Sequence, residues 1–174
     1  FGDAELRVDG WTGMIGHIRG SRQGHSWAWV HCNLWDGGED AVFEALSGRV
    51  TPGGIVSPPL TSLVLHLGDR SFTSSTPMDL LATRSHLVGE RWSFTARAGA
   101  ALLSGEARFA GPVALVEYAD TDGATLWCHN SKLSELRITL RDPRRLGRKT
   151  VLTAKGTAAF EIVDRTPPRR AVDL

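Results

Sequence analysis

Cysteine is scarce in this chain: two among 174 residues, Cys32 and Cys128, which is too few for a disulfide framework. Each sits in an apolar alternating run, where buried free thiols are common, and a single bridge between them stays open. An excess of one charge is also missing. Twenty Lys and Arg stand against nineteen Asp and Glu, so no overall field draws the protein to nucleic acid or an anionic membrane. Its basic concentrations, Arg141 to Lys149 and Arg165 to Arg170, surround prolines and read as a solvated loop and a loose terminus. No apolar run approaches the roughly 20 residues of a membrane span. A basic start with a cleavage site is lacking too, which leans the reading to the cytoplasm rather than to secretion without fixing a compartment. The chain opens on Phe1 rather than Met, so it is read as processed or as a piece of a longer protein. Long helical periodicity, internal repeats and low-complexity segments are absent.

What is present is a series of short alternating runs parted by turn residues, the pattern of an antiparallel sandwich or barrel. The strands expected are Ala4–Val8, Trp11–Arg19, Ser26–Trp35, Ala41–Val50, Leu60–Leu67, Arg70–Thr73, Glu90–Arg97, Ala101–Phe109, Val113–Ala119, Ala124–His129, Glu135–Arg141, and Thr150–Ala154 followed by Thr157–Val163. Asp36-Gly37-Gly38 and Asp122-Gly123 tolerate positive φ and predict hairpin turns. Thr51-Pro52-Gly53-Gly54, running on to Pro58-Pro59, predicts a loop or a crossing between sheets. One helical turn is expected after Thr76, with Thr76 as N-cap, Pro77 in the first position and Asp79 near the positive end of the dipole. At this length the chain forms one domain with a sizeable core. The division is 1–164 for the barrel and 165–174 for a basic, proline-rich tail.

Gly16 to Trp35 is the richest stretch, with three of six tryptophans and three of six histidines. By strand alternation Trp27, Trp29, His31, Asn33 and Trp35 share one face, and Ala28, Val30, Cys32 and Leu34 the other. Rings beside polar groups compose a ligand-pocket wall, and a strand pressed between two layers reads the same way. Trp127-Cys128-His129-Asn130-Ser131-Lys132 forms a second such group. There Trp127 and His129 share a face, and the hairpin register decides whether Glu117 or Tyr118 joins them. Glu117 beside His129 would make an acid–base pair. Each of these residues also has a purely structural reading as hydrogen-bonded scaffold. Zinc spacings such as H-x-H or H-x₃-H do not occur among His17, His25, His31 and His129, so no metal is expected. No G-x-S-x-G elbow exists. Gly16-His17-Ile18-Arg19-Gly20 lacks the spacing and lysine of a phosphate loop, so no nucleotide or other cofactor is expected either.

Gly13-Met14-Ile15-Gly16-His17, followed by Trp27-Ala28-Trp29-Val30-His31, resembles the G-x-x-G-H-N-W-G…W-x-W motif of the lipocalin-like superfamily that includes hydroxyneurosporene synthase, tocopherol-cyclase-like proteins and fungal Diels–Alderases. Cys128 to Lys132 resembles a late strand motif of bacterial members. Ile18 and Arg19 depart from the Asn-Trp that commonly follows the His. The resemblance implies an antiparallel lipocalin- or calycin-like β-barrel of about 8–10 strands with one short helix. It also implies that this barrel is the second of two, with an N-terminal barrel of the same protein as its partner.

The function read from this combination is binding of an apolar isoprenoid, polyene or polyketide-like molecule, with cyclisation, isomerisation or hydration as the candidate chemistry. His31, His129, Glu117 and Lys132 are the candidate catalytic residues. His17, Arg19, Trp27, Trp29, Asn33, Trp127 and Asn130 are the candidate ligand contacts. The alternatives are a lipophile carrier without chemistry and a half-domain whose tryptophan strand packs on the partner barrel.

Overall fold

A computed structural model describes residues 5, 7, 9–10, 13–16, 24–145 and 149–167. Ten strands and one helix follow in order: β1 Ser26–Cys32, β2 Ala41–Arg49, β3 Leu60–Leu67, β4 Arg70–Ser74, α1 Pro77–Ala82, β5 Arg84–Val88, β6 Arg91–Ala98, β7 Ala101–Arg108, β8 Ala114–Ala119, β9 Thr125–Arg141 and β10 Lys149–Asp164. All belong to one antiparallel sheet of order β4-β3-β2-β1-β10-β9-β7-β6-β5, with β8 paired to the first half of β9. The fold is all-β, as the alternation predicts.

The sheet curls on itself. Phe43 of β2 and Phe94 of β6 stand five strands apart along the ladder, yet their rings stack with centroids 5.6 Å apart. Trp92, on β6, likewise stacks on Phe160 of β10 at 6.4 Å. Between them these rings and the buried Leu65, Leu103, Ile138 and Leu152 fill the interior. Among the described residues the ladder does not close: β4 bonds only to β3 and β5 only to β6. The two ends are joined instead by α1, which lies between β3 and β6, and by a hydroxyl contact from Ser47 on β2 to Ser85 on β5.

Local chemistry explains most boundaries. Thr76 and Asp79 form a reciprocal capping box, each side chain bonding the other's backbone N–H, with Pro77 at the first position. Gly38 and Gly123 take φ of +69° and +83° in the two hairpin connections, a region open mainly to glycine. The Thr51 to Pro59 segment joins the neighbouring strands β2 and β3 through a 3-10 turn at Pro52–Gly54, so it is a loop within one sheet rather than a crossing between two. No helix among the described residues is long and apolar enough to cross a membrane.

Several expectations are corrected. Arg84–Val88 is a strand where none was expected. Two pairs of expected strands are single long ones: β9 runs through Asn130–Ser134, and β10 passes Gly156 at φ +81° with shifts in register. Residues 13–16 carry no regular structure, while the rest of the expected Trp11–Arg19 strand, and most of Ala4–Val8, lie outside the described residues. Strand β1 stops at Cys32, so the alternation ends there. Trp35, expected on the ring face, turns into the core, where its Nε1–H donates to the Ala41 carbonyl at 2.8 Å.

Candidate functional site

The two faces of β1 have opposite fates. Ala28, Val30 and Cys32 point into the filled interior, and Trp27, Trp29 and His31 lie on the outside of the curled sheet. Register then selects their neighbours, because directly paired residues share a face. Trp29 pairs with Glu161, Glu161 with Asn130, and His31 with Glu44. Trp27 Nε1 donates to Glu161 Oε1 at 2.8 Å, and Asn130 Nδ2 donates to Glu161 Oε2 at 2.9 Å. Trp29 Nε1 donates to Glu44 Oε1 at 3.0 Å. Lys132 holds its Nζ 5.4 Å from the Trp29 ring, a cation–π contact.

His31 is the unusual member of this group. Only 7 % of it is exposed, and neither ring nitrogen has a hydrogen-bond partner among the described residues. Its ring stacks on Trp29, with centroids 6.1 Å apart, and Nδ1 lies 3.9 Å from Glu44 Oε2. Burial holds its pKa below the ordinary imidazole value, Glu44 opposes that shift and Lys132 adds to it. The imidazole is therefore neutral at pH 7. A small second apolar cluster, Leu126, Cys128 and Val163, sits on the same outer face under Trp27 and Tyr118.

Trp127 and His129 occupy the opposite face. His129 pairs with Ile162, which packs on the interior, and Glu117 pairs directly with Trp127. Glu117 thus shares the face of His129, while Tyr118 joins Trp27 with ring centroids 6.5 Å apart. Glu117 is exposed and makes no hydrogen bond or ion pair with His129 among the described residues. A single wall built from Trp27, Trp29 and Trp127, or one acid–base group from His31, Lys132, His129 and Glu117, is therefore not assembled. The register divides each set between the two sides of the sheet. Asn33 lies beyond the strand and donates to the Gly13 carbonyl at 3.0 Å. His17 and Arg19 fall outside the described residues.

The cysteines are free and face opposite sides, Cys32 in the interior and Cys128 in the outer cluster. Burial pushes the Cys32 thiol up to about 11 and the Cys128 thiol up to about 12, so both are inert thiols at neutral pH.

The concave feature next to the ring strand lies at one end of the barrel. A cleft of ≈ 550 Å³ opens there between Trp27 and Trp92, with Ala28, Val56, Pro59, Leu87 and Val163 on its walls and Ser26, Ser47, Ser85, Thr166, Arg49, Asp164, His25 and His86 as its polar groups. Of the sequence-derived candidates among the described residues, only Trp27 lines it. Glu44, Glu161, Ser47, Ser85 and Arg49 had no local signal, since each stands as one polar residue in an alternating strand and acquires its neighbours only through pairing.

Arg165, placed by sequence in a loose tail, is held by the fold. Its guanidinium ion-pairs with the buried Asp120 and with Asp122 at 3.0 Å, and it donates to the His25 carbonyl at 3.3 Å.

No protein-family model matches the chain. It is 31% identical over 171 residues to two uncharacterised proteins of Mycobacterium tuberculosis, MT0513 of strain CDC 1551 / Oshkosh and Rv0493c of strain ATCC 25618 / H37Rv. Each match covers 95% of this chain and 51% of the relative. A crystal structure from Nitrosomonas europaea, of a protein described as a "putative ATTH", is similar in fold, with a TM-score of 0.51 and 11% identity. That match covers 85% of this chain and 52% of the other. The chain spans about half the length of the relatives it matches, and at this identity the structural likeness is one of fold alone.

Proposed function

We propose that this is a lipocalin-like domain that binds an apolar small molecule, of the isoprenoid or polyene class, at the open end of its barrel, and that it binds without transforming it. The observation that carries the reading is the cleft between Trp27 and Trp92. There the Trp27 ring and apolar side chains meet polar groups around open space, whereas the barrel interior is filled by side chains. Binding is favoured over cyclisation, isomerisation or hydration because the four candidate acid–base residues are divided between two faces of the sheet. Titration with long-chain isoprenoids and polyenes, followed by tryptophan fluorescence, tests this. Saturable quenching that weakens in Trp27→Phe is expected, and no response to any of them would overturn the proposal.

A second reading accounts for the outer ring face. The half-length coverage of the relatives supports a protein of two units, in which Trp27, Trp29 and His31 form the seam that meets a partner barrel.

A further inference from the structure

We infer that the molecule bound in this cleft ends in a carboxylate, recognised by the hydroxyl of Ser85 and the guanidinium of Arg49. The inference rests on the reading of the cleft as a ligand site and adds the chemistry of the head group.

Ser47 Oγ lies 2.7 Å from Thr61 Oγ1 and 2.9 Å from Ser85 Oγ, and Trp92 Nε1–H donates to Ser85 Oγ at 2.9 Å. Three hydroxyls carry three hydrogens, and the two contacts between them use two. The third must sit on Thr61, on Ser47 or on Ser85. Thr61 is fully buried and Ser47 is 7% exposed; neither has another acceptor among the described residues. A buried hydroxyl hydrogen left without an acceptor is costly. Ser85 is the half-buried member and lines the cleft. The chain therefore runs from Thr61 to Ser47 to Ser85, and the surplus hydrogen points into the cleft. Ser85 accepts from both Ser47 and the Trp92 indole, and donors that also accept are polarised into stronger donors. The open end of this relay asks for an acceptor.

Charge selects which acceptor. Arg49 is exposed on the cleft wall and has no ion-pair partner among the described residues. Asp164 also lines the cleft; its carboxylate accepts from the Thr166 backbone N–H at 2.7 Å and makes no ion pair with Arg49 among the described residues. Pro59, Ser85 and His86 continue into an adjoining cleft of ≈ 680 Å³ that adds Arg84 and Arg137, where Glu106 is ion-paired to Arg91. An anionic head is therefore met by a directed hydroxyl and by a guanidinium with no ion-pair partner among the described residues, while the apolar body lies along Trp27, Val56 and Leu87. An ammonium head would have Asp164 as a partner but would also face the Arg49 guanidinium and the Ser85 hydrogen.

The experiment compares decanoate, decanol and decylamine on the same protein, by quenching of tryptophan fluorescence below their micellar concentrations. Decanoate is expected to bind about tenfold or more tightly than decanol, the worth of a charge-assisted hydrogen bond, with decylamine weakest. Ser85→Ala should bring decanoate close to decanol, and Ser85→Thr should restore the difference. Should Ser85→Ala fail to fold by circular dichroism, Arg49→Met, at an exposed site, is expected to remove most of the preference. Equal binding of decanoate and decanol by the wild-type protein, or tightest binding of decylamine, would overturn the head-group inference and leave the ligand site standing. Failure of all three to bind, together with failure of the isoprenoid titration, would overturn both.

Discussion

At the scale of single residues, His31 has the sharpest consequence. Its folded pKa lies below 6.5 because burial disfavours the imidazolium. Between that pKa and 6.5 the unfolded chain binds more protons than the native one, so stability rises with pH across this window. The contribution is intact above 6.5, is lost as pH falls below it, and stops changing once pH is below the folded pKa. Urea unfolding of the wild-type protein between pH 7.5 and 5.5 should show this slope, and His31→Phe, which keeps a ring against Trp29, should reduce it. Equal slopes in the two proteins would show that His31 titrates as it does in the unfolded chain. Gly105 illustrates the opposite kind of constraint, one of space. A Cβ there would run into the Phe94 ring and come within 2.6 Å of Ile138 Cδ1, so the interior is closed by the absence of a side chain as much as by the presence of rings.

At the scale of elements, the six-residue helix α1 is held at its start rather than along its length. None of its own residues is buried, so packing contributes little and the capping box carries the turn. Thr76→Ala is expected to cost about 1 kcal/mol, read by denaturant unfolding, and to speed amide exchange at Asp79 and Leu80. This helix was legible in the sequence because Thr76, Pro77 and Asp79 are adjacent and their roles are local. The hairpins at Gly38 and Gly123 were legible for the same reason. Where the reading fell short, the missing information was long-range. Nothing near His31 names Glu44 as its neighbour, and nothing near Trp27 names Glu161; both follow from a register set across strands. The same register put Trp127 and His129 on the far side of the sheet from Trp29, which alternation within each strand could not show. Arg84–Val88 escaped notice because its pairing with β6, rather than any pattern in Arg-Ser-His-Leu-Val, makes it a strand. The continuity of β9 and β10 was hidden by Gly156 and by the polar run at Asn130 to Lys132, which a long paired strand tolerates through bulges.

At the scale of the whole molecule, the outer face of β1 and β2 is too apolar for an ordinary water-facing sheet. Val42 is 40% and Leu46 43% exposed, beside the half-buried Trp27 and Trp29. If this face is a seam, the chain taken alone should self-associate through it. Light scattering of the isolated chain is expected to report a mass above 18.9 kDa that falls with dilution, and Val42→Lys with Leu46→Lys should return it to the monomer. A wild-type chain that stays monomeric at high concentration would count against the seam and leave the ligand reading untouched.

The gap in the ladder gives the barrel an unequal hem. Everywhere else neighbouring strands are stitched by backbone hydrogen bonds, but between β4 and β5 the stitching is done by a helix, a few hydroxyls and facing rings. Parting the wall along that line breaks no backbone ladder among the described residues, so the molecule has a built-in placket. Because Ser85 stands on its edge, a guest that draws on that hydroxyl also tugs on the fastening, and loading the cleft and holding the barrel shut become one act.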